Sequence, residues 1–175
     1  MTNIFKHLHV VNTHRRYVRK FCFAMGLYYQ GLTHDLSKYS PVEFIPSVKY
    51  FVGNRSPIDK EKQEKGYSNC WLHHMHHNKH HWQYWTDFSK GQIVIYDPPI
   101  HIIKEMVADR IAACMTYQKS NYKPDSALNF LLNSAERVNI PEKTFKYLQY
   151  YLTIVSQYDD VYQALKIIKN DKTVF

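Results

Sequence analysis

The nineteen-residue run "IHIIKEMVADRIAACMTYQ", Ile100 to Gln118, constrains the fold more than any other part of the chain. Its apolar residues fall on nearly every side of a helix, so no face is left for water and other elements must wrap around it. The run follows the turn "YDPP" and is expected to be a buried central helix. Asp109 sits within it, among Ile102, Met106 and Ala113, and the small side chains Ala112 and Ala113 leave space beside it. A buried carboxylate is costly unless it is protonated, paired with a cation or bound to a metal.

The helices that cover this run are readable by their spacing. Ile4, Leu8, Val11, Val18, Cys22 and Met25 recur at three- and four-residue steps in a first helix that ends near Gly26. A second opens at "SPVEF", where Ser40 is expected to cap the free amides, Pro41 to take the first helical position and Glu43 to close a capping box. Trp71, Met75, Trp82 and Trp85 share one helical stripe in "WLHHMHHNKHHWQYW". "PDSALNFLLNSAERV" and "PEKTFKYLQYYLTIVSQY" carry proline in the first turn and helical spacing, and the tyrosines of the second are expected in the core. No strand signal competes, and there is no repeat, linker or low-complexity tract. The expectation is an all-α, single-domain helical bundle over residues 1–175.

A chain of 175 residues buries a core without staples, so a metal would serve chemistry. Cys22, Cys70 and Cys114 are odd in number and lack CxxC spacing, which argues against a secreted disulfide framework and for a reducing cytoplasm. The N-terminus lacks an apolar signal region, and no stretch approaches about 18 uncharged apolar residues, which argues against a membrane span. The formal charge of +8 suits a phosphate-bearing partner. Because the basic residues are spread out, a small phosphorylated substrate, including a nucleotide, is favoured over nucleic acid.

Several polar residues point where the core should be. His14 lies three after Val11 and four before Val18, on the apolar stripe of the first helix. Six histidines, at 73, 74, 76, 77, 80 and 81, crowd nine positions between tryptophans. In an unbroken helix His74 and His81 flank the tryptophan stripe; a break near Asn78-Lys79 instead lets His80 and His81 both turn inward. Singly, each residue has an ordinary structural explanation. Together with the doublet His34-Asp35 and Asp109 they form a nitrogen-and-oxygen ligand set for a divalent transition metal.

The order of these residues resembles the HD superfamily of metal-dependent phosphohydrolases. The resemblance runs over about the first 120 residues, through His14, His34-Asp35 in "THDLSK" and Asp109 in "MVADRIAA", with the helices of 124–170 completing the bundle. Lys38 matches the lysine of "HD-x-x-K" in the HD-GYP branch, and His80-His81 is similar to that branch's paired histidines, although no "DGxGYP" follows. The resemblance implies one or two ions of Fe, Mn, Zn, Ni or Co, held by His14, His34, Asp35 and Asp109 with His74, His80 and His81, and with His73 and His77 in reserve. Asp35, Lys38 and Asp109 would then be catalytic, with Asp35 bridging the ions and Glu105 supporting from behind. Arg15, Arg16 and Arg110 are candidate phosphate clamps. The implied reaction is hydrolysis of a nucleotide or other phosphate ester. The alternatives are a di-iron oxygenase on the same fold and a non-catalytic metal- or nucleic-acid-binding module.

Overall fold

The apolar run forms α6 (Ile100–Gln118), which buries Ile102, Ile103, Met106, Val107, Ala108, Ile111 and Ala112. In the computed structural model, which describes residues 3–53, 55–89, 91–134 and 139–175, α6 packs against the long first helix α1 (Asn3–Ala24). It also packs against α7 (Ser126–Asn133) and α8 (Glu142–Ser156). The last helix, α9 (Val161–Asn170), closes the bundle on α1 and α8. Val18, Phe21 and Cys22 of α1 meet Ile103 and Ile111 of α6, Leu131 of α7, Leu148 and Tyr151 of α8, and Leu165 and Ile168 of α9 in one apolar cluster. Each such large side chain contributes about 1.5–3 kcal/mol by leaving water.

The same stripe of α1 runs on from this core, through Val11, to His14 and His7, all buried. That end of α1 is covered by the short helix α2 (Tyr28–Thr33), a 3-10 turn over Leu36–Tyr39, and α3 (Pro41–Lys49). Helices α4 (Pro57–Lys65) and α5 (Asn69–His77) pack on α3 from outside. Gly26, with φ 79°, closes α1 in a left-handed conformation that a side chain resists, as the spacing predicts. The reversal brings α2 back onto α1 at Gly31, where a Cβ would lie 3.0 Å from the Phe23 ring and 3.1 Å from Cys22 Cβ.

Three expectations need correction. The helix expected across Trp71 to Trp85 ends at His77, so the tryptophans do not share one helical stripe. Asn78 is extended, and its amide donates back to His74 O at 2.8 Å and to Ser37 Oγ at 2.7 Å. After a 3-10 turn (Trp82–Trp85), strands β1 (Thr86–Ser89) and β2 (Gln92–Ile95) form an antiparallel hairpin in register Thr86 with Ile95 and Ser89 with Gln92. The four-residue strands are too short for alternation to stand out, and they lie on the surface, with Phe88 and Ile93 exposed. Third, Pro41 does begin α3, but Ser40 makes no side-chain cap and Glu43 turns its carboxylate inward.

The helix expected over 124–138 begins at Ser126, and its positions 135–138 lie outside the described residues. Tyr147 and Tyr151 of α8 are buried as expected. All three cysteines are buried free thiols. Among the described residues no helix is long and apolar enough to cross a membrane.

Candidate metal centre

The doublet His34-Asp35 stands at the C-terminal end of α2, not inside a helix. Asp35 has φ 57° and ψ 24°, a left-handed conformation costing an ordinary residue about 1 kcal/mol or more. It turns the chain so that two adjacent side chains reach one point, which neither a helix nor a strand allows. Arg15 holds this turn. Its Nε donates to His34 O at 2.8 Å and its Nη2 to Leu32 O at 3.1 Å, and Nη1 reaches Tyr39 Oη at 3.0 Å. The arginine expected as a phosphate clamp is thus a brace for the doublet. Arg16 is exposed on α1.

Four donor atoms from three segments meet on one side of Asp35. His14 Nε2 lies 3.0 Å from Asp109 Oδ1, 3.3 Å from His34 Nε2 and 3.5 Å from Asp35 Oδ2. His34 Nε2 lies 3.3 Å from Asp35 Oδ2 and 3.5 Å from Asp109 Oδ1. On the other side, the second oxygen Asp35 Oδ1 lies 3.3 Å from both His74 Nε2 and His80 Nε2. His81 offers a further nitrogen to that group. The break after His77 is what turns His80 and His81 inward beside His74. His73 lies outside both clusters, His77 is exposed with its Nδ1 on His73 O at 2.7 Å, and His76 is exposed.

These spacings fit a cation. Ligands about 2.1 Å from a metal stand about 3.0 Å apart at octahedral angles and about 3.4 Å apart at tetrahedral ones. Hydrogen bonds do not account for the arrangement. Asp35 Oδ2 is ion-paired with Lys38 Nζ at 2.6 Å, but Asp35 Oδ1, on a residue 1% exposed, has no hydrogen-bond partner although imidazole nitrogens surround it, and buried His81 Nε2 is equally unpartnered. Buried lone pairs that converge without donors aligned to them are what a metal's ligands look like.

A second rank of carboxylates orients the rings. Glu105 Oε1 accepts from His34 Nδ1 at 2.9 Å and lies 3.3 Å from His80 Nδ1. Glu43 accepts from His74 Nδ1 through Oε2 and from His73 Nδ1 through Oε1, both at 2.7 Å. An ionised carboxylate only accepts, so each of these imidazoles carries a proton on Nδ1, and in their neutral forms His34, His74 and His80 turn the Nε2 lone pair to the cluster. Glu105, four residues before Asp109 on the same face of α6, was expected in this role. Glu43 was missed, because the capping-box pattern at the start of α3 already explained it.

Charge completes the picture. Burial works against the charged form of Asp35, yet His34, Lys38 and His74 together hold its pKa well below the ordinary value. Asp109 is also held well below, where His14 and His34 outweigh burial. For His34, burial is outweighed by Asp35, Asp109 and Glu105, which hold its pKa well above the ordinary value. His81 is pushed well below, by burial and then by His80 and His74, so its imidazole is neutral. Among the described residues Lys38, whose Nζ lies 2.6 Å from Asp35 Oδ2, is the one lysine ion-paired to these acids, against Asp35, Asp109, Glu43 and Glu105. Its side chain is 29% exposed, at the rim. Arg110 follows Asp109 and lines a cavity beside His80 and His81.

Fold and site together define a mostly helical protein whose buried His/Asp cluster can hold a metal ion. The chain belongs to the family of unknown function DUF5662, whose pattern matches residues 3–154 and so includes every donor named above. No curated protein and no solved structure matches it.

Proposed function

We propose that the protein is a metal-dependent phosphohydrolase acting on a phosphate ester, in which His14, His34, Asp35, His74, His80, His81 and Asp109 would hold one or two divalent ions and Asp35 would serve both sides of the cluster. The observation that carries this reading is the division of labour at one carboxylate. Asp35 Oδ2 lies with His14 and His34, and Asp35 Oδ1 with His74 and His80; His81 joins the second group, and Asp109 shares a third with His34 and His80. The similarity of His14, His34-Asp35, Lys38 and Asp109 to the HD-superfamily pattern supports the same assignment. When bound, a divalent pair in such a frame acidifies water and neutralises charge on phosphoryl oxygens.

The chain's own groups supply the rest. Asp109, whose side chain is 23% exposed, presents a carboxylate to both the cluster and solvent, where it accepts a hydrogen bond from the attacking water and orients it. Lys38 places a compact positive charge at the rim, where a non-bridging phosphate oxygen arrives. The burial of His14, His34 and Asp35 argues against a surface nucleic-acid module, which has no use for inward ligands.

The test is elemental analysis of protein purified without a histidine tag, together with phosphate release from a panel of nucleotides and simpler esters. Stoichiometric transition metal and release from at least one ester are expected, and both should disappear in Asp35→Ala. Undiminished activity in that variant refutes the reading.

A further inference from the structure

One turn apart on the outer side of α5, His73 and His77 take no part in the buried clusters, yet both rings are held in place. Their centroids lie 3.8 Å apart, with the ring planes 13° from parallel. His77 Nδ1 donates to His73 O at 2.7 Å, and a carbonyl only accepts, so His77 carries its proton on Nδ1. His73 Nδ1 donates at 2.7 Å to Oε1 of Glu43, a carboxylate whose side chain is 1% exposed. In their neutral forms both imidazoles therefore keep the free lone pair on Nε2, and among the described residues neither Nε2 has a hydrogen-bond partner. Satisfying the buried Glu43 accounts for His73 alone. It does not account for a second ring laid against the first with the same nitrogen pinned.

We propose that His73 and His77 form a second metal site, an exchangeable surface position for one divalent ion of the Zn, Ni or Cu type, separate from the buried centre. Residues four apart share a helix face, and an ion with bonds of about 2.1 Å holds two nitrogens about 3.0 to 3.4 Å apart. From rings stacked at 3.8 Å, a tilt of the exposed His77 ring toward its neighbour brings the Nε2 edges together. Donor type selects the ion, since imidazole suits Zn, Ni and Cu whereas Ca and Mg take oxygen. Glu43 behind His73 supplies the carboxylate–histidine–metal line that fixes tautomer and raises ligand basicity. With two protein donors, water fills the remaining positions, so this ion exchanges with solvent. Glu43 separates the two positions, Oε1 facing the surface ring and Oε2 facing His74 Nδ1 at 2.7 Å. The assignment does not depend on the phosphohydrolase reading.

The test is calorimetric titration of metal-loaded, desalted protein with Zn²⁺, with imidazole ¹⁵N spectra taken on the same samples. One further ion is expected to bind, more weakly than any that survives desalting, and to move the Nε2 resonances of His73 and His77. His77→Ala is expected to lower that affinity at least about tenfold. Glu43→Gln, which leaves both rings in place, is expected to lower it about tenfold. His76→Ala, exposed on the same helix, is expected to leave it unchanged. Retained metal equal to wild type in His77→Ala shows that the centre is intact. Absence of the further event overturns the proposal, as does an event indifferent to His77→Ala or to Glu43→Gln. An equal loss in His76→Ala marks adventitious binding by a histidine-rich surface and overturns it too. Protein that retains no metal on desalting but shows the His77-dependent event keeps this site and removes the buried centre; retained metal without that event does the reverse.

Discussion

Replacing Glu105 by glutamine is expected to weaken both metal positions at once, whereas Glu43→Gln weakens one. The difference comes from which rings each carboxylate holds. Glu105 Oε1 lies 2.9 Å from His34 Nδ1 and 3.3 Å from His80 Nδ1, and these histidines face opposite oxygens of Asp35. Glu43 touches His74 and His73 only, so its influence stops at the His74 side. Glutamine keeps the shape but replaces an anionic acceptor by a neutral amide, so each imidazole loses basicity and a defined tautomer. Outer carboxylates of this kind are worth about 10- to 100-fold in metal affinity, or about 1.4 to 2.7 kcal/mol for each ion. Competition against a chromophoric chelator resolves two stepwise constants. Both should fall by about one to two decades in Glu105→Gln and one in Glu43→Gln. If Glu105→Gln loosens a single ion, or Glu43→Gln loosens both, Asp35 does not divide the ligands as described.

Other outcomes follow from the same geometry. His7 is buried between Phe44 and Phe51 with Nδ1 unpartnered, and burial, then Lys38, lowers its pKa from 6.5 to about 4. Its neutral form stabilises the fold fully above pH 6.5; as pH falls towards 4 the unfolded chain takes up a proton that the native state refuses, costing about 3 kcal/mol, and denaturant titrations of His7→Leu should lack that slope. Removing metal with a chelator should lower the stability of wild type by about 2.7 kcal/mol for an ion present at a hundred times its dissociation constant, seen as a fall of about 5–10 °C in the melting temperature, while Asp35→Asn should not respond. Gly31→Ala places a methyl 3.0 Å from the Phe23 ring and 3.1 Å from Cys22 Cβ, and should cost about 1 kcal/mol in thermal unfolding and reduce metal content by shifting α2 and the doublet it carries.

The parts of the fold legible in the sequence were those set by long-range periodicity. The apolar run of α6 required a wrapping bundle, and the stripe on α1 placed His14 inward. Those two helices, with the doublet between them, already defined the inner donors. What the sequence left open or hid was decided by single side chains competing for partners. Of the two readings of the histidine block, unbroken helix or break near Asn78-Lys79, the break holds, because Asn78 ends α5 by folding back onto His74 O and Ser37 Oγ, and it brings His80 and His81 to Asp35. Glu43 fits a capping box equally well on paper, and the choice fell to His73 and His74, which are thirty and thirty-one residues away. Arg15 looked like a free cation because nothing in its neighbourhood announced the carbonyls of Leu32 and His34. The hairpin lay in "TDFSKGQIVIYD", whose β-branched second half was a signal too short to outweigh the helices around it.

Why so many acids are buried together has an answer in charge balance. Among the described residues Asp35, Asp109, Glu43 and Glu105 face Lys38 as their one ion-paired lysine, which leaves an excess of negative charge that a low-dielectric interior does not tolerate. Protons can cover part of it, and the raised pKa values of His34 and His80, each lifted against burial by Asp35 and Glu105, show where they go. A protonated imidazole cannot be a ligand, so metal and protons compete for the same lone pairs and the metal wins more completely as pH rises. Divalent ions held here would neutralise the acids without displacing the Nδ1–H bonds to Glu43 and Glu105, so the outer carboxylates would keep their histidines in either state.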